Sequence, residues 1–299
     1  MHTVAIIQGR MGSSRLPGKV LLEITGKPMI QHVVERTRLA RSLDSVVVAT
    51  TVDPSDDPVA DFCAAQGVSC SRGPVHDVLD RYYQAAKAQQ AEIVVRITAD
   101  CPLIDPAVID ETVALMTPGT DFACNRLPPP FSRSFPIGLD VEVCTFAALE
   151  RAWRESSETF HREHVMPYLY QDVRLAQEQP AAQVSRGVSP RGFNVAQLNH
   201  DPDYGALRWT VDTPEDLTFV REIFARLIDE AVPDSARDEA VQASARDEVV
   251  PASARDKAQF TWYDVLRIVQ NEPQLAQINA AIRHKTMTEV DHRAPGENH

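Results

Sequence analysis

Three short apolar segments recur along the first third of the chain and constrain its fold more than any other feature. They are residues 3–8, 45–50 and 92–98, each rich in β-branched side chains, which is typical of strands buried on both faces. The intervening segments 28–39 and 77–90 carry apolar residues at helical spacing. Strands that alternate with helices in this way predict a parallel sheet covered by helices on both faces.

The predicted sheet also indicates where a ligand would bind. In open parallel sheets, ligand sites lie beyond the carboxyl ends of the strands. This rule selects residues 9–19, 51–57 and 99–105. The later part of the chain is less regular: strands are predicted at 139–145 and 208–211, and helices at 105–116, 147–154 and 214–228.

Charge and cysteine content exclude several classes of protein. The chain has 42 acidic and 30 basic side chains, a net charge of −12, which argues against binding nucleic acid by general attraction to phosphate. The five cysteines form no CxxC pair and are predicted to be reduced and mostly buried. No apolar stretch has the length of a membrane span or of a signal-peptide core, so we expect no membrane partner and a cytoplasmic location.

The segment QGRMGSSRLPGK, residues 8–19, is the strongest candidate for a phosphate site. It follows the first strand and holds three glycines, two serines and three cations. Glycines let backbone N–H groups approach an oxyanion, and the cations Arg10, Arg15 and Lys19 can neutralise a triphosphate. The segment is neither a P-loop nor a dinucleotide fingerprint, because its glycine spacing differs from both. The alternative interpretation is a surface loop with solvated cations.

Two aspartates are candidates to hold a metal ion. Asp100 ends the third predicted strand, and Asp212 ends the apolar run at 208–211. A triphosphate that crosses this edge calls for a divalent cation, and Mg²⁺ usually takes one or two carboxylates. Helix capping is the alternative role for both residues. Three other acids are interpreted as helix N-terminal residues favoured by the helix dipole: Asp105, Glu215 and Asp216.

Six segments, in chain order, carry a resemblance to a known family. They are QGRMGSSRLPGKVLLEITGKP, VVVATT, RGPVHDVLDRYYQAA, VVRITADCPLIDP, REHVMPYLY and RWTVDTPEDL. Together they resemble the cytidylyltransferases of the acylneuraminate and 3-deoxy-manno-octulosonate type, and above all their spore coat polysaccharide biosynthesis protein F branch. The resemblance runs from residue 8 to residue 217. It implies an α/β nucleotide-diphospho-sugar transferase fold, which is Rossmann-like, with a mixed, mostly parallel sheet and helices on both faces.

The resemblance also implies residue roles. CTP would be bound by Gln8, Gly9, Arg10, Gly12, Ser13, Ser14, Arg15, Lys19, Arg72, Gly73, Asp77 and Arg96. Mg²⁺ would be held by Asp100 and Asp212. The acceptor would be contacted by Asn125, Asp140, Glu142, Arg162 and His164. Catalysis would depend on Arg15, Lys19, Asp100, Asp212 and His164. The resemblance is also compatible with a homodimer.

The implied reaction transfers CMP from CTP to a hydroxyl of a sugar or sugar acid and releases pyrophosphate, in the biosynthesis of surface polysaccharides or glycoconjugates. His164 and His161 are candidates for the general base because imidazole titrates near neutral pH. A metal-dependent glycosyltransferase is one competing interpretation, although the sequence lacks a DxD pair at the site strand. A scaffold domain without catalytic activity is the other.

The chain divides into four predicted parts. Residues 1–232 would form the nucleotidyltransferase domain. Residues 233–258 repeat Ser-Ala-Arg-Asp with a period of nine and have too little apolar surface to offset the entropy of ordering, which predicts an inserted linker. Residues 259–283 would form a helical segment that packs on the main domain, and 284–299 a disordered tail.

Overall fold

A computed structural model describes residues 1–128, 131, 133–177, 183–230, 260–283 and 288–289. Strands in the first half of the chain are β1 Thr3–Gln8, β2 Glu23–Ile24, β3 Lys27–Pro28, β4 Ser45–Thr51, β5 Ser69–Gly73 and β6 Ile93–Thr98. Those in the second half are β7 Phe122–Cys124, β8 Glu142–Thr145, β9 Ala176–Gln177, β10 Val184–Val188 and β11 Asn194–Leu198. The helices are α1 Met29–Thr37, α2 Asp57–Ala65, α3 Val78–Ala88, α4 Pro106–Val113, α5 Phe146–Glu155, α6 Thr159–His164, α7 Pro167–Tyr170, α8 Pro214–Glu230, α9 Trp262–Asn271 and α10 Gln274–Gln277.

One large mixed sheet organises the molecule. Its strand order is β5-β4-β1-β6-β8-β7-β11-β10-β9, and β2 and β3 form a separate two-stranded hairpin. The four strands β5, β4, β1 and β6 run parallel, whereas β8 lies antiparallel between β6 and β7. The predicted strand at 3–8 is confirmed at both ends, because a run of six residues that is rich in β-branched side chains and ends at a glycine is a strong local signal; five of the six are buried.

Helices cover both faces of this sheet. Apolar residues from α1, α2, α4, α8 and α9 form one core layer against it, and residues from α3, α5 and α7 form the second on the opposite face. The predicted α/β fold class is therefore confirmed. Strands sandwiched in this way carry apolar side chains on both faces, which is why their sequences read as apolar runs rather than as alternating patterns.

The strand predicted at residues 208–211 is wrong. Arg208 makes a single isolated bridge to Ile137, where the N–H of Trp209 donates to the Ile137 carbonyl at 2.6 Å. The N–H of Val211 donates instead to the carbonyl of Asp100 at 2.8 Å. The segment is buried, hence its apolar sequence, but its backbone bonds to two different loops instead of to one neighbouring strand.

The segment from residue 260 packs on the main body. The backbone N–H of Trp262, at the start of α9, donates to the carboxylate of Asp105 at 2.6 Å, and that same carboxylate caps α4, as predicted for Asp105. The amide of Asn279 donates to the carbonyl of Arg208 at 3.1 Å. The repeats at 233–258 lie outside the described residues, as does most of 284–299, so the four-part division stays a prediction. Within the described ranges, no helix is both long and apolar enough to span a membrane.

The cysteines are reduced and mostly buried, as predicted, with Cys70 the exposed exception. A hydrogen bond from Cys63 lowers the pKa of Cys70 to about 7. We therefore expect one fast-reacting thiol per native chain with an aromatic disulfide reagent, at a rate that rises between about pH 6 and pH 8 as the thiolate forms. Stopped-flow absorbance would measure this rate, and Cys70→Ser should abolish the fast phase. A second fast thiol, or a rate that is flat across this range, would contradict the expectation.

Candidate active site

A cleft of about 250 Å³ opens at the carboxyl edge of the parallel strands. It is lined by Gln8, Gly9, Arg10, Gly12, Ser13, Ser14, Arg15, Lys19, Val20, Val78, Arg96, Thr98, Ala99, Asp100, Glu163, His164 and Asp212. All eight predicted residues of the first loop lie in this wall, together with Arg96, His164 and both predicted metal carboxylates. The cleft thus lies where the strand-end rule places it.

The loop after β1 is held by contacts to the neighbouring strand ends. The N–H of Met11 donates to the buried carboxylate of Asp56 at 2.6 Å, and the N–H of Gly18 donates to the Met11 carbonyl at 2.9 Å. Gly18 has φ of +69°, a conformation that glycine adopts without strain. A Cβ on Gly9 would lie 2.9 Å from the Cβ of Ala99, so glycine permits the close approach of the loop to the end of β6.

Lys19 lies between the two predicted metal carboxylates. Its Nζ donates to Asp100 Oδ2 at 2.7 Å, to Asp212 Oδ1 at 2.9 Å and to the Val211 carbonyl at 2.8 Å. Burial lowers the pKa of Lys19, but the two carboxylates raise it by more, so the pKa lies above the ordinary lysine value. The ammonium group is therefore charged at neutral pH and connects the first loop to both aspartates.

Asp212 is surrounded by cations. Besides Lys19, its carboxylate is 3.0 Å from Arg15 and 2.8 Å from Arg208. Burial raises the pKa of Asp212, but Lys19 and Arg15 lower it by more, so the pKa lies below the ordinary range. The sequence did not indicate Arg208, which is buried and also pairs with Asp216. Arg208 lies close to Asp212 and Asp216 because the chain turns between residues 208 and 216, and local periodicity does not reveal this turn.

The donor set at Asp100 and Asp212 fits Mg²⁺ shared with a nucleotide. Within the described ranges, no group of three or more Asp, Glu, His or Cys side chains is arranged to hold a metal ion. Mg²⁺ normally takes one or two protein carboxylates and completes its shell with water and phosphate oxygens. The two aspartates are close enough to share one ammonium group, so they could share a cation with bound phosphates.

His164 lies in the wall of the same cleft. Its Nε2 is 2.9 Å from the carbonyl of Glu289, and since a carbonyl only accepts, this nitrogen carries the proton in that arrangement. Burial lowers the pKa of His164 by more than the Glu289 carbonyl and the Glu163 carboxylate raise it, and Arg96 and Arg126 lower it further. The neutral imidazole is therefore favoured, with Nδ1 as its proton-accepting nitrogen. His161 is buried on α6 and contacts Gln171 rather than the cleft.

Several residues predicted to contact CTP lie outside the wall of the cleft. Arg72 donates to the backbone of β4 and pairs with Asp57 at 2.7 Å. Asp77 caps α3 and pairs with Arg162, a residue predicted to contact the acceptor. Gly73 ends β5, beside α3. These four residues frame the β4–β5 side of the molecule beside the cleft.

The remaining predicted acceptor residues are held in a buried polar layer. The Asn125 side chain bonds to the backbone of Leu139 and Val141, which gives it a structural role. Asp140 pairs with Arg126 and Arg133. Glu142 is buried and pairs with Arg96, so it reaches the cleft only through that arginine.

The sheet and the cleft together define a nucleotidyltransferase with a Rossmann-like fold. A family model described as cytidylyltransferase matches residues 4–204, and the chain belongs to this family. The spore coat polysaccharide biosynthesis protein SpsF of Bacillus subtilis is 29% identical over 227 residues, covering 74% of this chain and 85% of that protein.

Two further similarities support this assignment. A 3-deoxy-manno-octulosonate cytidylyltransferase of Solibacter usitatus is 31% identical over 242 residues, covering 74% of this chain and 94% of that protein. The solved structure of a cytidylyltransferase from Leptospira borgpetersenii superposes with a TM-score of 0.71 at 27% identity, covering 95% of this chain and 100% of that chain. The resemblance stated from the sequence is thus confirmed.

Proposed function

We propose that this enzyme transfers CMP from CTP to a hydroxyl of a sugar acid and releases pyrophosphate. The observation that carries the proposal is the arrangement of Arg10, Arg15 and Lys19 in one cleft with Asp100 and Asp212. The cations complement a triphosphate, and the carboxylates provide for Mg²⁺, which would neutralise phosphate charge when bound. Membership of the cytidylyltransferase family supports CTP as the triphosphate.

The chemical step follows from this arrangement. An acceptor oxygen attacks the α-phosphorus in line, the bond from that phosphorus to the β-phosphate bridging oxygen breaks, and the acceptor hydroxyl loses its proton. Arg15 and Lys19 stabilise the negative charge that develops on the phosphates. His164, held neutral by burial, accepts the proton through Nδ1.

A carboxylate-bearing acceptor suits the cations in the wall of the cleft. Arg96 lies in that wall together with His164, and its guanidinium group could donate to an acceptor carboxylate. The cytoplasmic location and the homodimer stay predictions.

Calorimetric titration with CTP, UTP, ATP and GTP, with and without Mg²⁺, tests the proposal. We expect selective CTP binding that Mg²⁺ strengthens, and a loss of about tenfold or more in Asp100→Asn when Mg²⁺ is present. Asp110→Asn is the matched control, since Asp110 lies on α4, away from the cleft. Its carboxylate accepts hydrogen bonds from the backbone N–H groups of residues 41 and 42. Sugar acids and neutral sugars would then be screened as acceptors by pyrophosphate release.

The same titrations separate the competing interpretations. Preference for a UDP-sugar or a GDP-sugar over every triphosphate would contradict the proposal and favour a glycosyltransferase. Absence of nucleotide binding in the folded protein would favour a scaffold. Pyrophosphate release that is confined to neutral sugars would retain the enzyme class but contradict the sugar-acid acceptor.

A further inference from the structure

Arg81 is a buried cation that the mechanism above does not use. It lies on the second turn of α3 and is only 2% exposed. Its Nε, Nη1 and Nη2 atoms have no hydrogen-bond partner among the residues that the structure describes. A guanidinium group buried without partners is costly, because it has five N–H donors and loses its hydration. The described residues therefore leave the acceptors for this group to be supplied by another molecule.

The side chain of Arg81 reaches the ligand-binding edge of the sheet. It passes Gly73 at the end of β5, where a Cβ would lie 2.7 Å from its Cγ. The charged groups that act on it are Arg10, in the loop after β1, Asp56, after β4, and Asp77, before α3. These residues follow adjacent parallel strands, so Arg81 lies on the β4–β5 side, within electrostatic range of the first loop.

The two nearby carboxylates are already engaged by other groups. Asp56 accepts hydrogen bonds from the N–H of Met11 and the hydroxyl of Thr51. Asp77 pairs through both oxygens with Arg162 and also caps α3. Burial and then the charge of Arg10 lower the pKa of Arg81 to about 10. Arg81 is therefore still charged at neutral pH, with its donors directed to no protein group among the described residues.

The positions of the other groups indicate which part of a nucleotide would meet Arg81. In the proposed function, Arg15 and Lys19 on the first loop lie beside the phosphates. His164 and Arg96 contact the acceptor, on the side of β6 and β8. The β4–β5 side, where Arg81 lies, is then left for the nucleoside.

We propose that Arg81 reads the base of the nucleotide and favours cytosine over uracil. This inference rests on the proposed use of CTP. A guanidinium group only donates, and cytosine presents two adjacent acceptors, the O2 carbonyl and N3. Uracil keeps O2 but carries a proton on N3, so one of the two donors would face an N–H. Paired donors on Arg81 match cytosine and mismatch uracil.

Binding of CTP and UTP to Arg81→Met and to the wild type, measured by calorimetry, tests this assignment. We expect CTP affinity to fall roughly tenfold to a hundredfold, as for a lost bidentate base contact, and UTP affinity to change by less than about threefold. Equal losses for CTP and UTP would place Arg81 on the phosphates or the ribose and overturn the inference. A variant that keeps the full preference for CTP would overturn it as well.

Two further variants keep the test decisive. Gly73→Ala places a methyl group against Arg81 Cγ and shifts the guanidinium without removing its charge, so it should also reduce the preference for CTP. Arg226→Met removes an arginine of α8 that pairs with Glu222 on the same helix and with Glu272 after α9. This variant should leave the affinities for CTP and UTP unchanged. A wild-type protein that binds no triphosphate would overturn the proposed function and this inference together. Selective wild-type CTP binding that persists in Arg81→Met and Gly73→Ala would overturn only this inference.

Discussion

Replacing Lys19 by methionine is expected to lower the rate of nucleotidyl transfer by about a hundredfold to a thousandfold, because it removes a preorganised positive charge from the cleft where charge develops on the phosphates. Methionine retains most of the side-chain volume but removes three donors and the positive charge. Lys19 is the group that joins the first loop to Asp100 and Asp212. Without it, two carboxylates face each other and the phosphates of the nucleotide.

Two measurements check this expectation. Pyrophosphate release gives the transfer rate once an acceptor is found, and calorimetry gives CTP affinity without an acceptor. We expect CTP affinity to fall by about tenfold or more, since Asp100 and Asp212, without the ammonium group that they share, would repel the triphosphate.

The matched control for Lys19→Met is Lys27→Met. Lys27 pairs with Glu35 at 2.7 Å, and both side chains are about one-third exposed, so this change should leave transfer and binding unaltered. A Lys19→Met enzyme that retains wild-type transfer and CTP affinity would remove Lys19 from the mechanism.

Replacing Asp216 by alanine is expected to lower the free energy of unfolding by about 3–5 kcal/mol, because it leaves a buried cation without its partner. Asp216 is fully buried and accepts two hydrogen bonds from Arg208 at 2.9 Å. Its carboxylate also accepts the amide of Asn279 and the backbone N–H groups of Asp212 and Thr213. The same change should therefore weaken CTP binding, since it releases the backbone of Asp212.

Urea denaturation measures the loss of stability. The double variant Arg208→Met/Asp216→Ala is the informative control, because it removes both charges and no longer leaves a buried ion unpaired. We expect the double variant to be more stable than Asp216→Ala alone. A single variant within about 1 kcal/mol of the wild type would show that the pair contributes little to folding.

The parts of this fold that could be predicted from the sequence depend on local patterns. The strand at Thr3–Gln8 and the helix that starts at Asp105 carry their signals within a few residues: an apolar run in one, a capping acid and a proline in the other. The approach of Asp100 to the first loop was predictable for a related reason. Parallel strands place their carboxyl ends at one edge, whatever the details of packing.

Contacts between distant segments escaped prediction. The sequence pattern of residues 208–211 is that of a strand, yet only the folded chain shows that these residues bond to Ile137 and Asp100. The pairing of Asp77 with Arg162 crosses 85 positions, and no local periodicity encodes a contact of that span. Arg81 sits among apolar helix positions, where a sequence pattern does not distinguish a buried, unpaired arginine from an exposed one.

The amino-acid sequence alone determined the α/β class, the family and the loop that lines the cleft, because each of these depends on residue types at short, regular spacing. The tertiary structure alone decided that Lys19 lies between Asp100 and Asp212. It also decided that Arg208 pairs with both Asp212 and Asp216. Finally, it placed the guanidinium group of Arg81 without a hydrogen-bond partner among the described residues. These arrangements come from strands and turns that meet only after folding, where burial and the charge of neighbours set what each side chain can do.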